Sequence, residues 1–164
     1  MFSTEQYLTA ITSCLDKKTN QVIQTLQDVF THPFAPDVEL LDFSTFIDPI
    51  RFEFTVMMFS MDKNAGEVFT EETELFAGSL EIVQDASYYE LDQPLHDAFF
   101  DFYEENGEEL EQAEQEVFAA WFAACWEQAG GTAFSLPTYF GFHDAGMSYD
   151  LQHARFIDDS EKWA

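Results

Sequence analysis

The stretch from Glu108 to Ala129 sets the terms for any fold this chain can adopt. Its first turns carry Glu108, Glu109, Glu111, Glu114 and Glu116, and its second half, Val117 to Trp126, holds no charge and is rich in Phe and Trp. The pattern predicts one helix, closed by Gly130-Gly131. A helix end that is apolar nearly all round has to be enclosed on several sides. Its acidic start is tolerated by the positive end of the helix dipole and is expected to face water. The remaining chain is therefore expected to wall in an aromatic foot and leave an acidic head free.

The charge pattern extends well beyond that helix. Lys63 is the last Lys or Arg before Arg155, and twenty carboxylates lie in the ninety-one residues between them. Soluble surfaces usually mix both signs, so nothing local offsets this charge. The same stretch is rich in aromatic residues, which argues against a disordered acidic tail. Across the 164 residues, six Lys and Arg oppose thirty-two Asp and Glu, for a formal charge of −26. Such a body repels phosphate backbones and anionic membranes, so neither nucleic acid nor membrane is expected as a direct partner. A basic protein, a bound cation or a saline habitat would suit it. Acid concentrated in one stretch, with nineteen Phe, fits saline adaptation less well than it fits a dedicated surface.

The length suits a single domain spanning residues 1–164, large enough to bury about two-thirds of its unfolded surface. Ser3-Thr4-Glu5-Gln6 reads as a capping box opening a helix, and Tyr7, Leu8, Ile11 and Leu15 continue at helical spacing. Val22, Ile23, Leu26, Val29 and Phe30 carry the pattern to Pro33 and Pro36. Lys17-Lys18-Thr19-Asn20 is either an exposed turn of one long helix or a break between two. From Val38 the period becomes two. Phe52, Phe54, Val56 and Met58 predict a strand with one buried face, Asp62 to Gly66 a turn, and Glu67 to Thr70 its hairpin partner. Leu80 and Ile82 suggest another strand, and Val38 to Phe46 signals one weakly. Asp92 and Pro94 mark a helix start, with Leu95, Ala98, Phe99, Phe102 and Tyr103 as its apolar stripe. Thr138 to Phe142 and Met147 to Leu151 predict two strands joined by a tight turn. The order of helices, strands, helices and strands gives an α+β fold, a mostly antiparallel sheet with helices packed on one face.

Catalytic signals are sparse. No glycine-rich phosphate loop, paired CxxC, HExxH or DxDxDG-type calcium loop occurs. His143, Asp144, Asp150 and His153 cluster on the expected C-terminal hairpin and could in principle hold a metal, although such scattered His are more often turn or surface residues. Cys14 and Cys125 make no disulfide framework. The expectation is a non-enzymatic protein without metal, cofactor or catalytic residues. No basic n-region and apolar run open the chain, and the longest uncharged apolar run is about half a membrane span, so a soluble, cytoplasmic protein is expected. A rigid acidic array can occupy a site built for nucleic-acid phosphates. Glu104, Glu105, Glu108, Glu109 and Glu111 are the expected partner-binding carboxylates, with Tyr88 and Tyr89 as aromatic anchors among them.

The passage Phe122-Ala123-Ala124-Cys125-Trp126, then Gly130-Gly131, Leu136-Pro137-Thr138-Tyr139-Phe140-Gly141-Phe142-His143-Asp144, Tyr149-Asp150-Leu151 and Lys162-Trp163, resembles immunity proteins. These small acidic bacterial proteins are encoded beside polymorphic toxins, including those of contact-dependent growth inhibition. The resemblance covers about the last third of the chain. It implies an α+β cytoplasmic inhibitor that binds a cognate basic toxin domain, often a nuclease, and blocks its active site. Interfaces differ between such pairs, so no binding residue is carried over. The rival reading from the same charge is a DNA mimic that blocks restriction or CRISPR nucleases.

Overall fold

The computed structural model describes residues 1–164 and has an α+β architecture. Helices α1 (Thr4–Asp16) and α2 (Thr19–Val29) precede strands β1 (Leu40–Asp48), β2 (Glu53–Met61) and β3 (Ser79–Ser87). Helices α3 (His96–Glu105) and α4 (Gly107–Gln128) follow, then β4 (Thr138–Phe142), β5 (Met147–Asp150) and β6 (Arg155–Asp158). The six strands form one sheet in the order β3-β2-β1-β4-β5-β6. Each half is an antiparallel meander, and the halves join at a parallel seam between β1 and β4, where Phe43 lies opposite Phe140.

The charge-free half of α4 is enclosed from two directions. Phe122 stacks on Phe140 with centroids 4.5 Å apart and lies 5.0 Å from Phe43, so it sits directly on the seam. Phe118 meets Phe54 and Phe142 edge-on, each at 5.2 Å. On the far side α1 and α2 pack against the same helix, and the Trp121 indole N–H donates to Thr19 Oγ1 at 3.0 Å. Enclosure is incomplete, because Ala120 and Ala124 face outward. At the helix end Gly130 takes a left-handed φ of 96°, and the Trp126 indole lies so close over Gly131 that a Cβ there would sit 2.2 Å from it.

Local signals in the N-terminal region are realised in part: Ser3 caps α1, but no bond from the Gln6 side chain completes a capping box. Ser3 Oγ accepts the Gln6 N–H at 3.2 Å, and the Lys17–Lys18 segment breaks the helical region in two. Three expectations need correction. The hairpin partner of β2 is β1, along all nine residues of each, whereas Glu67 to Thr70 contributes one isolated bridge from Glu67 to Met61. The weakly signalled Val38 to Phe46 stretch is thus a central strand. Leu95 and Ala98 fall outside the apolar stripe of α3, whose Phe99 is buried against Phe2, Tyr7, Phe52 and Tyr89. Phe52 lies in the turn before β2 with φ of 57°, an unfavourable backbone state for an aromatic residue that its buried ring contacts hold in place.

The sheet's other face carries no α-helix. The chain's last turn, a 3-10 segment from Asp159 to Trp163, closes over Leu40, Tyr139 and Ile157. It also buries Lys162, whose ammonium donates to Asp42 at 2.9 Å and pairs with Asp159 at 2.7 Å. Burial opposes the charge of Lys162, but the two carboxylates outweigh it and raise its pKa; burial raises that of Asp42 despite Lys162. Removing one member of such a group strands the others, which typically costs about 3–5 kcal/mol. Lys162→Ala is therefore expected to lower unfolding stability by about 3 kcal/mol in chemical denaturation. Adding Asp42→Asn, which removes the stranded charge, should recover part of that loss.

Candidate acidic interface

Helices α3 and α4 meet at a corner fixed by short-range contacts. The Asn106 side chain donates to Phe102 O at 2.9 Å, closing α3, and the Leu110 N–H bonds Asn106 O at 3.0 Å, opening α4. Leu110 is fully buried and pins the corner to the core. Glu104 and Glu105 end α3, while Glu108, Glu109 and Glu111 begin α4, and all five are exposed. The structure brings the five together around one depression of about 530 Å³ with no hydrophobic side chain in its lining.

No salt bridge reaches any of these five. Lys17 pairs with Glu90, Arg51 with Asp48, and Lys162 with Asp42 and Asp159. Glu108 and Glu109 are favoured by the amino-terminal dipole of α4, but Glu104 and Glu105 lie at the carboxyl end of α3, where the partial charge is already negative. No basic residue occupies that last turn. Two carboxylates therefore sit where local electrostatics oppose them.

Tyr88 and Tyr89 are not part of this surface. They are 2 % and 8 % exposed, packed against Phe52 and Phe118 or against Tyr7 and Phe99. The acid around them in the sequence belongs to strand ends and loops, and their rings belong to the core. They cannot anchor a partner without unfolding, and this expectation is corrected. His143 contacts Asp144 at 3.3 Å and His153 contacts Asp150 at 2.8 Å as two separate pairs, and the four residues do not converge on a shared centre.

Glu114 is the carboxylate that sequence reasoning misplaced. It follows Leu110 and precedes Phe118 by four residues each, so it falls on the buried stripe of α4 and is 4 % exposed. Tyr103 donates its hydroxyl to Glu114. Burial pushes the Glu114 carboxyl up to about 7, against the opposing effect of the neighbouring Tyr103 and Tyr7 phenols. Burial and the nearby carboxylate also raise the Tyr7 and Tyr103 phenols.

No protein-family model matches the sequence, and no match is found among curated proteins or solved structures. No helix is long and apolar enough to cross a membrane.

The raised pKa of Glu114 has a definite sign. The folded state prefers the protonated form, so this group imposes no penalty below its unfolded pKa of 4.5. The penalty grows as pH rises and is complete above about 7. A shift of this size corresponds to about 3 kcal/mol. Glu114→Gln is expected to be more stable than the parent at pH 8, approaching that amount, with the difference vanishing near pH 4. Denaturant unfolding of both proteins across this range measures it; equal stability at pH 8 would contradict a buried, ionising Glu114.

Proposed function

We propose that this chain is a non-enzymatic inhibitor of the immunity-protein kind, which neutralises a basic, nucleic-acid-cleaving toxin domain by seating its acidic corner in the phosphate-binding site. The observation that carries this reading is the set of five exposed glutamates at the α3–α4 corner, which no cation pairs and part of which opposes its own helix dipole. The five carboxylates rise from two helix ends with a fixed backbone, so binding has only their side chains to order. The surrounding charge of −26 steers a basic partner toward the surface and keeps free nucleic acid away. Such a protein needs no chemistry of its own, only a surface that outcompetes phosphate.

Co-purification with the product of the adjacent gene, followed by affinity measurements across a salt range, tests the reading. Tight, salt-sensitive binding that silences a toxic activity is the expected result. Reversing Glu104, Glu108 and Glu111 to Lys is expected to weaken binding by about 100-fold or more and to flatten its salt dependence. Unchanged affinity would remove the corner from the interface. DNA-competitive inhibition of several unrelated nucleases, without binding to the neighbouring product, would favour a general DNA mimic instead.

A further inference from the structure

The corner continues along α4 into a groove of different character. The three-helix layer ends over β4, and the β5–β6 hairpin projects past it. Between α4 and this hairpin lies an open groove of about 630 Å³. One wall is the α4 stripe Glu108, Glu111, Gln112, Gln115 and Glu116, at the spacing an apolar packing stripe would have but filled with carboxylates and amides. The floor is Met147 and Phe156, which are 42 % and 38 % exposed. They are two of the six large apolar side chains most open to solvent in the molecule. Phe156 pairs with Tyr149 in the strand register and meets its ring edge-on at 5.0 Å, which fixes its orientation. Arg155, the adjacent cation, alternates to the opposite face of β6.

Carboxylates beside an exposed aromatic ring make a specific demand on a ligand. A cation with a flat, weakly hydrated head satisfies both at once best, lying over the ring while donating to carboxylate oxygens. A lysine ammonium is a compact, strongly hydrated charge and gains less from the ring. A second copy of this chain would bring another −26 to the same place. We infer that the α4/β5–β6 groove receives an arginine-bearing segment of a basic protein partner, with the guanidinium held between Phe156 and the α4 carboxylates. This rests on the inhibitor reading and names the partner chemistry beside its acidic corner.

The test uses two blocked pentapeptides, Gly-Arg-Leu-Arg-Gly and Gly-Lys-Leu-Lys-Gly, titrated at 0.15 M salt into isotopically labelled protein and followed by amide chemical shifts. The arginine peptide is expected to shift resonances of Phe156, Met147 and the α4 stripe, and to bind about fivefold more tightly than the lysine peptide. Phe156→Ala and the milder Phe156→Leu, which keeps an apolar side chain but loses the ring face, should both erase that preference. Glu104→Gln/Glu105→Gln should leave it intact. Equal binding of both peptides, or shifts spread over the whole acidic surface, would overturn the assignment. So would self-association that perturbs Phe156 without peptide. Because the peptides stand in for no particular partner, the outcomes separate: a salt-sensitive cognate complex that Phe156→Ala does not weaken sinks the groove alone. If no basic protein binds, the inhibitor reading itself is lost.

Discussion

Everything in this fold is arranged around the burial of one helix face. The apolar half of α4 presents Phe118, Trp121, Phe122, Cys125 and Trp126 inward, and no single neighbour could cover them. The sheet seam takes Phe122, the β2 side takes Phe118, and Trp121 is held between Phe54 of β2 and Thr19 of α2 while α1 packs along the same helix. Aromatic pairs at these separations add to the area term of burial. The parallel seam between β1 and β4 follows from this geometry. The two meanders become one surface at the place where α4 needs a continuous apolar floor.

With the foot of α4 fixed in the core, its head is carried outward on a rigid lever. The acidic corner is positioned by that packing together with its own local anchor, the fully buried Leu110 in the first turn of α4. Charge is sorted accordingly. Lys162 is the one buried cation, and it fastens the chain's last turn to the helix-free face through Asp42 and Asp159. Lys17 and Lys18 follow directly on the end of α1. Helices α2, α3 and α4 have no basic residue in their last turn or at their C-cap, so the usual complement to the dipole is missing from these three. Glu114, inside the core yet continuous in sequence with the exposed acid, shows how closely the two environments adjoin along α4.

Much of this is legible in the residues. Helical spacing finds α3, α4 and the helical region of α1 and α2, whose division at Lys17–Lys18 it leaves open. Alternation finds β2, because Phe54, Val56 and Met58 face one covered side. β1 is muted because its second face is also occupied: Leu40 and Asp42 point into the terminal turn, so alternation is lost in a strand buried from both sides. β6 has four residues and one buried side chain, too little for any pattern. The acidic corner could be read because five glutamates flank a helix break. Tyr88 and Tyr89 misled because local composition says what surrounds a residue in sequence, while burial depends on what surrounds it in space. Phe156 and Met147 gave no signal, since their role depends on where the helix layer stops.

The proposed inhibitor surface requires that Glu104 and Glu105, at the negative end of α3, are kept there at a cost to the fold. Thermal melting of Glu104→Gln/Glu105→Gln against the parent at low ionic strength tests it directly, with no partner required. Removing two charges from the negative end of α3 should raise the melting temperature by about 2–4 °C, and added salt should shrink the gain. A fall in melting temperature would show that these glutamates stabilise the fold, and the acidic corner would lose its standing as a surface kept for binding.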